Sequence, residues 1–144
     1  MRFSPMIEPT AGPRPPLDPN PEEMRRLGYR TIDRLVDHLA TLSDQRVGRR
    51  GTSADFAALV DEPLPRAGQG YEASLDFFFE RVMPELTKVN HPRFHGHIPC
   101  PSSFYGALGA MLAAGTNPFV GSWLGGTTVS SLELTVLRWI AEAI

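Results

Sequence analysis

The sequence predicts a mainly α fold, and three observations carry that prediction. Apolar residues recur at three- and four-residue spacing in several windows. Side chains suited to helix N-caps stand just ahead of those windows, and prolines or glycines punctuate the joints between them. A chain of 144 residues accommodates one domain or part of a larger one.

Composition narrows the classes. Apolar residues make up 42% of the chain without counting 13 glycines, which predicts a real core and excludes wholesale disorder. The net charge of −2 provides no global basic field of the kind that drives phosphate-backbone binding, so no nucleic-acid partner is expected. One cysteine, Cys100, cannot form an intramolecular disulfide, the N-terminus lacks a secretory apolar stretch, and no apolar run reaches the ~18 residues of a membrane span. A soluble protein of the reducing cytoplasm is the expectation.

Seven of the 14 prolines fall within residues 1–21, so residues 1–19 read as a Pro-rich flexible leader and residues 20–144 as the helical region. Asn20-Pro21-Glu22-Glu23 is a strong helix start: Asn caps, Pro fits the first turn, and the carboxylates meet the positive end of the helix dipole. Met24, Leu27, Ile32, Leu35, Val36, Leu39 and Leu42 form one stripe, with Arg25, Arg26, Arg30, Arg34 and Asp37 on the other face. His38 reads as a partly exposed residue of this helix. Arg46, Arg49 and Arg50 make a basic loop, Ser53 opens a short helix to Val60, and Gly68-Gln69-Gly70 breaks the chain before a helix from Tyr71 that is interrupted near Pro84. Residues 90–101, with three prolines and a glycine, form a loop; Ser102-Ser103 cap a helix of small residues that Asn117-Pro118 ends. Gly125-Gly126-Thr127-Thr128 reads as a turn and the last helix as starting near Ser130. That helix shows no stop signal at Ile144, which predicts an N-terminal segment of a longer protein.

Few residues suggest chemistry on their own. His91, His95 and His97 would share one face of an extended strand, yet Pro92 and Gly96 disturb such a strand and no second ligand cluster accompanies them, so no metal site is assigned. The serines lack a nucleophile-elbow context, and Glu133 stands without a paired carboxylate. Trp123 and Trp139 read as packing residues. Phe119 and Val120, in a Pro/Gly-bounded apolar loop, suit a partner interface or a ligand pocket.

Taken in order, His91-Pro92-x-Phe94, Pro99, Ser102-Ser103, the small-residue helix, Gly121-Ser122-Trp123, Leu132-Glu133 and Trp139 resemble the start of the pyridoxal-phosphate-dependent group II amino-acid decarboxylases. That family includes aromatic-L-amino-acid, histidine and glutamate-type decarboxylases, and the likeness spans about residues 20–144. The resemblance implies a carboxy-lyase acting on a small amino-acid substrate, a homodimer, and a fold-type I α/β domain following this mainly helical region. Pyridoxal phosphate would serve the full-length protein as the electron sink for the carbanion left when carbon dioxide departs.

Residues matching the family's substrate pocket are His97, Ile98, Pro99 and Cys100, while Phe119, Val120 and Gly121 match a loop that reaches the partner subunit's active site. The resemblance assigns no catalytic, cofactor-binding or metal residue to this chain. The family's cofactor lysine, ring-stacking histidine and pyridine-nitrogen aspartate belong to the later domain, and Lys88, the single lysine, matches none of them. His97 stands where the family often has an aromatic residue, Gly126-Thr127 replaces its Ser-Pro, and Ser131 replaces an acidic residue. The alternative reading is a free-standing, non-catalytic helical module that binds a protein partner through its apolar loop.

Overall fold

The computed structural model describes residues 19–98 and 101–144, and among these residues every regular element is helical. The leader expected over residues 1–19 therefore lies almost entirely outside the described residues. The chain divides into two compact units, Met1–His95 and Gly96–Ile144.

In the first unit, α1 spans Pro21–Ala40, with the Asn20 side chain accepting from the Glu23 N–H. Its arginine face is paired. Arg26 lies 2.8 Å from Glu72, Arg30 lies 2.7 Å from Glu72 and 2.8 Å from Asp76, and Arg34 lies 3.9 Å from Glu80. The arginines recur every four residues on α1 and the acids every four residues opposite, so helical periodicity aligns two complementary charge stripes. The acids sit on α3, Tyr71–Phe77, and on the π-helical turn Phe78–Val82 that continues it. The wider π turn accounts for the looser last pair. Gly70 precedes α3 at φ 85°, a left-handed conformation that disfavours any side chain.

Helix α2, Ser53–Val60, is capped by Thr52 rather than by Ser53. The Thr52 hydroxyl accepts from the Asp55 N–H, and the Asp55 carboxylate accepts from the Thr52 N–H. The Thr52 N–H and the Thr52 hydroxyl both reach the Asp55 carboxylate, favour its ionised form and lower its pKa.

Two loops close the first unit. The Lys88 N–H donates to the Val47 carbonyl at 2.7 Å, and a Cβ at Gly48 would meet Thr87 Oγ1 at 3.1 Å. The ring of His91, only 2% exposed, ties these loops together: its Nδ1 accepts from the Arg93 N–H, which leaves Nε2 to donate to the Gln45 carbonyl at 3.0 Å.

Composition predicts a real core, and the structure has a small one. Leu42 and Leu75 are the buried apolar side chains among the described residues, together with Lys88 and His91. The α1 stripe is half-buried for the most part, and Met24 and Val36 are exposed.

The second unit holds α4, Phe104–Thr116, and α5, Trp123–Ala143. Ser103 caps α4 and Ser122 caps α5, each accepting from the N–H three residues on. Asn117 ends α4 at φ 41°, where the asparagine tolerates a left-handed turn. The turn expected at residues 125–128 is a kink instead: α5 begins seven residues before Ser130, and Gly126 adopts a non-helical φ of −138° within it. Trp123 and Trp139, expected to bury apolar area, are 61% and 57% exposed.

Candidate functional site

The described residues assigned by resemblance belong to the second unit. His97 is exposed and sits at φ 57°, and Ile98 is fully exposed. Histidine visits the left-handed region more readily than most residues, and this places a sharp bend immediately before Ile98. Pro99 and Cys100 lie outside the described residues.

Phe119 and Val120 are exposed, and the loop that carries them folds back on the start of α5. A Cβ at Gly126 would meet the Phe119 carbonyl oxygen at 2.7 Å and Val120 Cα at 3.1 Å, and one at Gly125 would meet the same oxygen at 3.0 Å. Gly121 faces the Phe119 ring, where a Cβ would come within 2.5 Å. Glycine is thus required at residue 126 by a backbone neighbour that cannot swing away, whereas at residue 121 the neighbour is the far end of a side chain.

The His97–Ile98 bend precedes the N-terminus of α4 and the residue 119–121 loop follows its C-terminus, and a helix of 13 residues is about 20 Å long.

Lys88 bears on the cofactor. The residue is 6% exposed and its Nζ rests 3.4 Å from the Pro84 carbonyl. Burial, helped by the neighbouring Arg46, pushes the amine's pKa down. Held against the Pro84 carbonyl, this amine is not freely presented to an aldehyde such as that of pyridoxal phosphate.

Among the described residues, no group of three His, Cys, Asp or Glu side chains is placed to hold a metal ion, and no helix is long and apolar enough to cross a membrane. Sequence reasoning missed a cleft against α1 that includes Arg34, His38, Arg46 and Lys88. Its residues come from two separate stretches of sequence, 34–46 and 79–88, so no local motif marks it.

No family model matches the chain. It is 32% identical over 123 residues to the aromatic-L-amino-acid decarboxylase of Bacillus atrophaeus, covering 85% of this chain and 26% of that protein. It is 31% identical over 125 residues to a tyrosine decarboxylase of Oryza sativa subsp. japonica, covering 85% of this chain and 24% of the relative. The crystal structure of Rhodiola rosea 4-hydroxyphenylacetaldehyde synthase superimposes with a TM-score of 0.77 at 25% identity, over 85% of this chain and 26% of that one.

The chain thus spans about a quarter of the length of the curated relatives it matches. The matched helices and the order of motifs from His91 to Trp139 agree in one direction: this chain belongs to the group II pyridoxal-phosphate-dependent decarboxylase family and corresponds to its N-terminal part.

Proposed function

We propose that the chain serves as the N-terminal portion of an amino-acid carboxy-lyase, contributing to a homodimer interface and to part of the substrate pocket. The observation that carries this reading is the continuous likeness to decarboxylases over 85% of the chain. The exposed apolar residues of α4 and α5, among them Met111, Leu112, Leu132, Leu137 and Ile140, support the interface role, because apolar surface on this scale is normally covered.

In this reading His97, Ile98, Pro99 and Cys100 line the pocket, and Phe119, Val120 and Gly121 reach the partner's active site. The chemistry rests on pyridoxal phosphate held by residues outside the matched quarter. An aromatic amino acid is the substrate class that the relatives' names favour.

The test is to purify the protein that carries this chain with pyridoxal phosphate and to offer it aromatic L-amino acids. Carbon dioxide release is expected from a dimer. Amine as the second product identifies a decarboxylase, and aldehyde identifies a synthase of the kind the matched structure represents. A folded protein that retains the cofactor and releases no carbon dioxide from any amino acid overturns the reading.

A further inference from the structure

We infer that the cleft between the C-terminal half of α1 and the Pro84–Lys88 stretch binds a small oxyanion, a phosphate or carboxylate group, through Arg34, Arg46 and Lys88. The cleft has a volume of about 560 Å³ and lies wholly within the first unit, so the inference is independent of the decarboxylase reading.

Its cations are under-neutralised. Lys88 is withdrawn from water with its Nζ 3.4 Å from the Pro84 carbonyl oxygen, whereas buried ammonium groups ordinarily take a counter-charge. Glu85, the nearby acid that acts on Lys88, is paired with Arg49 at 3.0 Å. The Arg34 guanidinium lies over the Phe79 ring at 5.0 Å and stands 3.9 Å from Glu80, beyond hydrogen-bond reach. Its Nε is buried without a hydrogen-bond partner among the described residues, the kind of orphan donor that proteins ordinarily satisfy.

The positive groups also crowd one another. Arg46 lowers the pKa of Lys88, and Lys88, after burial itself, lowers that of His38. An oxyanion among them relieves this repulsion.

The remaining charged lining residues limit what fits. Asp37 and Asp44 also line the cleft, so its three full cations exceed its carboxylates by only one charge. That balance suits a single compact oxyanion and disfavours a polyphosphate or a nucleic-acid backbone.

Because Lys88 is the chain's single lysine, ¹³C labelling of lysine at Cε alone yields one side-chain resonance. The full chain is titrated with inorganic phosphate and, separately, with acetate, using chloride at equal ionic strength as the reference. A saturable shift of the Lys88 resonance is expected, and the tighter of the two anions identifies phosphate or carboxylate as the ligand group.

Arg46 is exposed, so Arg46→Gln tests the site without disturbing the core. It should weaken the saturable binding at least about tenfold, the effect of one charge-assisted hydrogen bond. Arg50→Gln, an exposed change in the same basic loop but outside the cleft, should leave binding unchanged. A response that never saturates, or that chloride reproduces, overturns the inference. So does equal binding by the Arg46→Gln and Arg50→Gln variants.

Discussion

Removing the His91 imidazole unties two loops at once. His91→Ala would strip the hydrogen-bond partner from the Arg93 N–H and a donor from the Gln45 carbonyl, and would leave a cavity at a residue 2% exposed. A loss of about 2–4 kcal/mol is expected, measured by urea denaturation of the variant against the parent. In the sequence, His91 is indistinguishable from His95 and His97, because their spacing groups all three on one strand face. The chain is not extended there: turns occupy the stretch, His95 and His97 are exposed, and His91 alone is buried. Side-chain alternation applies only where the backbone is extended, so the apparent cluster dissolves. For His97, the substrate-pocket proposal predicts that His97→Ala in the protein carrying this chain changes relative kcat/KM between polar and apolar amino acids by roughly 10–200-fold. Competition assays with paired substrates check it, and an unchanged ratio counts against a pocket role.

At the level of elements, a ladder of ion pairs bridges α1 and α3. The Arg26 hydrogen bonds hold the carboxyls of Glu23 and Glu72 below the ordinary glutamate range. A folded-state pKa lowered in this way contributes stability that is present above about pH 4.3 and is lost as the pH falls through the folded value. The melting temperature should therefore decline on acidification below that point, and Arg26→Gln should flatten the decline. High salt should act in the same direction, since these groups are exposed. In the second unit, Gly126→Ala gains helix propensity yet drives a methyl group into the Phe119 carbonyl. The clash wins, with an expected loss of about 1–3 kcal/mol, read from thermal melts.

The starts of α1 and α4 were legible because Asn20 and Ser103 are good caps followed by periodic or small residues. The start of α5 was not legible, because a Gly-Gly-Thr-Thr run has the local chemistry of a turn. Only the close approach of the Phe119 carbonyl shows that the glycines admit a kink in a helix. The π turn at Phe78–Val82 likewise has no signature in apolar spacing.

For the molecule as a whole, the apolar content was read correctly and its location was not. Composition counts side chains, but only tertiary contacts bury them, and in this chain Leu132, Leu134, Leu137, Trp139 and Ile140 are each more than half exposed. The isolated chain is expected to self-associate, and sedimentation over a range of concentrations will show a rising weight-average mass. A monomer that persists from dilute to concentrated solution, with cooperative unfolding, counts against the interface proposal. The exposure of α5 also has a consequence for biosynthesis. In relatives of the length matched here, this quarter is made first and the other three quarters follow at roughly 5–20 residues per second. A nascent chain of that kind holds a helix such as α5 in water for roughly tens of seconds before later segments can cover it. Such a helix is a natural recognition element for a ribosome-associated chaperone during that interval.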